Sequence, residues 1–124
     1  MDGSIPGGWH GVDLGGATPA GSQVEDAGTW TITGGGADVW NSSDSFHFVS
    51  SRISGDAQLT ARVVSLSNTD AWTKAGVMIR ESTTADARHA FTCVTAANGI
   101  AFQRRLSPGG ASSHTSGPLR SAPT

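Results

Sequence analysis

The sequence predicts an all-β fold, an antiparallel sandwich or jelly roll, and three observations carry that prediction. Apolar and polar residues alternate with a period of two in run after run. Clusters of turn-forming residues separate the runs at short intervals. No stretch sets apolar residues at i, i+3, i+4 and i+7 behind a cap, so helices are not expected. Short strands joined by tight turns pair with their chain neighbours, which gives antiparallel sheets.

The predicted strands, in order, are residues 11–15, 29–33, 37–40, 45–53, 57–66, 74–81, 88–95 and 100–106. Between them lie "TGGGAD", "NSSD", "SGD", "SNTD", "STTAD" and "AANG", with "SPGG" after the last. In the strand at 57–66, Leu59, Ala61 and Val63 fall on one face and Gln58, Thr60 and Arg62 on the other, the pattern of a sheet with one buried side. "KAGVMIRES" is apolar on both faces near its middle, which predicts a central strand. Asn98-Gly99 predicts a tight hairpin before residues 100–106, because both residue types tolerate positive φ.

The organisation follows as a lead-in at 1–8, a sandwich domain at 9–106, and a Ser/Gly/Pro-rich tail or incomplete strand at 107–124. A length of 124 residues suits one domain with its own core. The net charge of −2, with no basic cluster beyond Arg104 and Arg105, points away from nucleic acid. No apolar run approaches membrane-spanning length, so no membrane partner is expected. The opening "MDGSIPGGWHGVDLGG" lacks a basic segment followed by an apolar one, so no signal peptide is expected in this chain. Cys93 is the sole cysteine, which excludes an intrachain disulfide, and its place in an alternating apolar run predicts a buried thiol.

"GTWTITGGGADVW" (28–40), "DSFHFV" (44–49), "GDAQLTARV" (55–63), "NTDAWTKAGVMIRES" (68–82) and "NGIAFQ" (98–103) resemble the DUF1349 family, also labelled "regulation of enolase" domains. The resemblance implies a concanavalin A-like β-sandwich of the kind found in secreted bacterial proteins beside carbohydrate-active domains. It therefore implies carbohydrate binding, and an extracellular location as part of a longer protein. Two departures stand out. Family members continue with a strand of the type P-x-W-[VL]-[RK]-[LV], whereas this sequence ends in "GPLRSAPT", which implies a sandwich missing its last strands and self-association through an exposed sheet edge. Arg104 occupies a position that is usually aromatic in the family.

Catalysis finds little support in the residues. Hydrolases of the concanavalin A-like type carry an E-x-D-x-E set on one strand, and here Glu81 stands alone on its strand. Asp44, Asp56, Asp70 and Asp86 sit at turns, where a short carboxylate binds local amides. There is no G-x-S-x-G elbow, and "TGGGAD" lacks the lysine and the strand-to-helix setting of a phosphate cradle. No cofactor is expected, and the one metal the oxygen donors suit is calcium, with Asp38 and Asp44 as candidate ligands near Asn41 and Asp70.

The four tryptophans carry the binding hypothesis. Trp30 alternates with Ile32 and is expected in the core, with Trp9 covering one end. Trp40 and Trp72 sit where strands meet polar loops, and each reads either as a lid on the core or as a platform for a sugar ring. Asn68 and Asp70 would be the polar companions of Trp72, and His47, Arg62, Arg80, Gln103 and Arg105 the polar floor of a groove. The expected function is a non-catalytic carbohydrate-binding module. The alternative is a structural or adhesion module that binds protein or itself, and a glycoside hydrolase ranks third.

Overall fold

The computed structural model describes residues 8–124. The predicted lead-in at 1–8 lies outside the described residues except for Gly8. Among the described residues there are nine strands: β1 (His10–Leu14), β2 (Ser22–Asp26), β3 (Thr29–Thr33), β4 (Asp38–Trp40), β5 (Ser43–Ser50), β6 (Lys74–Arg80), β7 (His89–Thr95), β8 (Ile100–Arg105) and β9 (Ser113–Ser116). The pairings β1–β5, β2–β3, β6–β7, β7–β8 and β8–β9 are antiparallel and no described residue is helical, so the fold is all-β and its content is that of a β-sandwich.

The chain divides into two compact units, Met1–Val39 with Ser43–Ala57, and Trp40–Ser42 with Gln58–Thr124. The first contains the sheet order β1-β5-β4, to which β4 brings Asp38 and Val39, and the hairpin β2-β3. The turn of that hairpin places Ala27 at φ 50° and Gly28 at φ 88°, the two positive values a primed two-residue turn demands. Glu25 closes it by accepting the Gly28 N–H at 2.6 Å. Trp30 is not in the core: it is half-buried against Trp9, with ring centroids 5.8 Å apart, and Ile32 is 52% exposed. The reason is that, among the described residues, β2 and β3 pair only with each other. On β5, Phe46 and Phe48 sit together at 5.5 Å, and His47 between them points to the other face, as the alternation predicts.

The second unit is the four-stranded meander β6-β7-β8-β9. Strand β7 is its core: Phe91, Cys93 and Val94 are buried, as is Ala101 across from Cys93. Burying a side chain the size of Phe91 contributes about 1.5–3 kcal/mol. Cys93 is buried, as its place in the alternating run predicts. The predicted strand at 57–66 does not form. Its alternation is present, but a ladder also needs a neighbour, and only Val63 exchanges backbone bonds, at 2.8 and 3.0 Å with Thr124. Leu59 and Val64 stay exposed in consequence.

The predicted hairpin at Asn98-Gly99 forms with a longer loop than a two-residue turn. Only Gly99 takes positive φ (75°), the paired positions closest to the loop are Val94 and Ile100, and Thr95 N–H bonds the Gly99 carbonyl at 3.0 Å. Asn98 instead donates its N–H to Thr95 Oγ1 at 2.8 Å, and Thr95 Oγ1–H donates to the Gly99 carbonyl at 2.7 Å.

Candidate functional site

One face of the meander is fixed by the register. Lys74 lies opposite Thr95, Met78 opposite Phe91, Arg80 opposite His89, Phe91 opposite Gln103, His89 opposite Arg105, and Gln103 opposite His114. Side chains on adjacent antiparallel strands that face each other in register share a face. The sequence alternation therefore lines up Lys74, Arg80, His89, Gln103, Arg105 and His114 on one side of the sheet. Trp40 and Trp72 belong to that group through contact: the Lys74 ammonium lies 5.7 Å from the Trp40 centroid and 5.8 Å from that of Trp72. An ammonium at that distance from an indole face is held by the ring quadrupole.

His114 stands edge-on to both indoles, its centroid 6.3 Å from Trp40 at 79° and 5.8 Å from Trp72 at 83°. Its orientation is set by two hydrogen bonds. Gln103 donates from Nε2 to His114 Nδ1 at 3.0 Å, which leaves His114 Nε2–H to donate to Ser116 Oγ at 3.0 Å. Gln103 is 2% exposed, and among the described residues its Oε1 has no hydrogen-bond partner. A buried amide oxygen with no donor costs about 1–3 kcal/mol and calls for one. Trp72 is 42% exposed, so its ring is available beside this group.

The loop that presents Trp72 is internally bonded. Asp70 Oδ1 accepts the Trp72 N–H at 2.8 Å, the Asp70 carbonyl accepts the Thr73 N–H at 3.1 Å, and the Thr69 and Thr73 hydroxyls meet at 2.9 Å. Asp70 is thus a turn former beneath Trp72, the carboxylate-on-amide arrangement that its position in "SNTD" predicts. Asn68 lines a hollow of about 200 Å³ with Val64, Leu66 and Thr95.

Of the other predicted residues, Arg105 has a structural place. It is 1% exposed and donates to the carbonyls of Gly110 (2.9 Å), Ala87 (3.1 Å), Trp40 (3.2 Å) and Asn41 (2.9 Å), and to Ser112 Oγ (3.2 Å). It supports Trp40 from below. Arg80 caps the carbonyls of Thr84 and Ala85 at 2.7 and 3.1 Å, while Glu81 pairs with Arg88 at 3.0 Å. Arg62 lies in the exposed segment before β6. Arg104, at the position where the family resemblance expects an aromatic residue, lies over the Phe102 ring at 5.1 Å and donates to Thr115 Oγ1 at 2.8 Å.

His47 belongs to a different cluster, in the first unit. It faces Asp13 directly across β1 and β5, and its Nδ1 is 2.8 Å from Asp13 Oδ1 while its Nε2 is 2.7 Å from Gln23 Oε1. The bond from His47, then the one from the Gly21 N–H at 2.9 Å, hold the Asp13 carboxyl below its ordinary range against the opposing effect of burial. Asp38 Oδ1 accepts the Val39 N–H at 2.7 Å, and Asp44 is buried on β5. Among the described residues no three His, Cys, Asp or Glu side chains are grouped to hold a metal.

Sequence reasoning did not find His114 or Lys74. His114 lies in "SSHTS", a stretch with no apolar residue to mark a strand, and only its pairing with β8 brings it under Trp72. Fold and site together define an all-β module carrying an aromatic-faced polar cluster on one antiparallel sheet. No protein-family model, curated protein or solved structure matches the chain. Among the described residues no helix is long and apolar enough to cross a membrane.

Proposed function

We propose that this chain is a non-catalytic carbohydrate-binding module of the DUF1349 type, a concanavalin A-like β-sandwich working outside the cell as part of a secreted bacterial protein. One observation carries the binding reading: Trp72, half-exposed, stands against His114, which is bonded to Gln103 with its unmet buried oxygen. An indole face takes the C–H face of a sugar ring, and polar groups around it take the hydroxyls. The non-catalytic reading is supported by the acids: Glu81 is paired with Arg88, Asp13 with His47, and Asp70 caps the Trp72 amide.

The test is affinity electrophoresis through gels carrying β-glucan, xylan, galactomannan or pectin. Wild type is expected to be retarded by at least one of them, Trp72→Ala to run freely with its β-sheet circular dichroism intact, and Trp30→Ala to be retarded like wild type. Free migration of wild type through all four sinks the reading.

A second reading, a module that binds protein or associates with itself, is favoured by the opposite face of the meander. There Leu59, Val77, Ile79 and Phe102 line an apolar hollow of about 120 Å³, and Ile79 and Phe102 are exposed. Strand β6 also has one neighbour only, which leaves its other edge open. Sizing across a hundredfold range of concentration tests it, with a constant monomer as the contrary result.

A further inference from the structure

The Trp72 loop is held from outside itself, by the turn between β7 and β8. The Ala71 carbonyl, immediately before Trp72, accepts two hydrogen bonds, from the Ala97 N–H at 3.0 Å and from the side-chain Nδ2 of Asn98 at 3.0 Å. The Thr73 carbonyl, immediately after it, accepts the Ala96 N–H at 3.0 Å. The β7–β8 turn therefore brackets the Trp72 backbone on both sides.

That turn is itself built to hold one shape. Thr95, 1% exposed, uses its hydroxyl twice, accepting the Asn98 N–H and donating to the Gly99 carbonyl. Gly99 takes φ 75°, where a Cβ would meet the Pro118 carbonyl at 2.7 Å. The Pro118 carbonyl in turn accepts the Ile100 N–H at 3.0 Å. Asn98 is thus fixed through its backbone, and its side chain is left to reach one target, Ala71, 27 residues away.

We propose that Asn98 is a positioning residue for the ligand platform: it acts through Ala71 to set the height and tilt of the Trp72 ring. This rests on the reading of Trp72 as the platform. Stacking needs a ring held at a fixed plane before the ligand arrives, since each side chain ordered on binding subtracts from affinity. Asparagine suits the position because its amide supplies a neutral N–H donor. Aspartate, of nearly the same shape, would set an acceptor against the Ala71 carbonyl and turn the clamp into a repulsion.

The test combines fluorine NMR of protein labelled with 5-fluorotryptophan with affinity electrophoresis on the same four polysaccharides. The four fluorine signals are assigned by single Trp→Phe variants. Asn98→Ala and Asn98→Asp are expected to shift or broaden the Trp72 signal and leave those of Trp9 and Trp30 in place, and to weaken retention about fivefold or more, the scale of one lost hydrogen bond. An unchanged Trp72 signal in Asn98→Asp, with the chain still folded, overturns the proposal. If wild type is retained on no polysaccharide the binding reading fails, while the fluorine signals still decide whether Asn98 positions Trp72. Should both variants fail to fold, Asn98→Ser, which keeps a short neutral polar side chain but has no amide N–H to reach the Ala71 carbonyl, decides: a shifted Trp72 signal supports the proposal and an unchanged one overturns it.

Discussion

Arg105 donates from Nη2 to the carbonyl of Asn41 at 2.9 Å, and the bond joins two segments 64 residues apart in sequence. Asn41 is itself at φ 49° and its carbonyl also accepts Ser112 Oγ–H at 2.7 Å. The guanidinium therefore holds the residue that follows Trp40, and Trp40's own carbonyl, from beneath the sheet face.

Replacing Arg105 by Met removes the donors of the Gly110, Ala87 and Trp40 carbonyls and leaves the Asn41 carbonyl with Ser112 Oγ–H alone. Each such group costs about 1–3 kcal/mol when water cannot reach it, so Arg105→Met should lower stability by about 3 kcal/mol or more. Arg105→Lys recovers only part, because an ammonium cannot span a fan of acceptors. Urea unfolding checks this, and a loss under about 1 kcal/mol in Arg105→Met would contradict the structural role.

Asp13 gives a prediction in acid. Its carboxyl titrates below the ordinary value of 3.8 in the folded chain, chiefly because of the His47 bond and then the Gly21 N–H. A group whose folded value is depressed contributes stability that is complete above its unfolded value and is lost as pH falls through the folded one. Melting temperature measured from about pH 6 to about pH 2 should fall less steeply below about 3.8 in Asp13→Asn than in wild type, with a lower plateau above it. Superimposable acid limbs would show that Asp13 is not linked.

Gln103 predicts a separation of stability from binding. Its Oε1 is buried and unmatched, so Gln103→Met, of similar volume, removes an uncompensated polar atom. Stability should stay within about 1 kcal/mol of wild type or rise. Polysaccharide retention should weaken, because the bond that orients His114 against Trp72 is lost. Retention equal to wild type would remove Gln103 from the site.

Much of the fold was legible because the strong strands carry their own signal. Residues 29–33, 74–81, 88–95 and 100–106 of the prediction match β3, β6, β7 and β8 to within one residue at each end. What was illegible depends on partners distant in sequence. β2 contains one apolar residue, Val24, which stays 48% exposed, and β9 contains none, so neither shows a buried face. Both exist because β3 and β8 offer backbone groups to pair with. The reverse holds at 57–66, where alternation is clear and no ladder forms.

The site was legible in part for the same reason. Trp40, Trp72 and Gln103 were marked by residue type and position, and the structure brings them to one place with Asp70 beneath. Arg105 falls on the face that the alternation gives it, but is 1% exposed there and tied to the carbonyls of Trp40 and Asn41. His47 could not be told apart from the group by alternation, because the same face pattern serves two different sheets. Asn98 was read only as a turn residue, since a side-chain bond to Ala71 leaves no trace in sequence spacing.

The most direct test of the account is the indole N–H region of the proton–nitrogen NMR spectrum, recorded while the polysaccharide that retards the protein is titrated in as its short oligosaccharide. The account predicts that the Trp40 and Trp72 signals move with a common affinity while those of Trp9 and Trp30 stay in place. Movement confined to Trp9 and Trp30, or none in any of the four with every oligosaccharide, would contradict it.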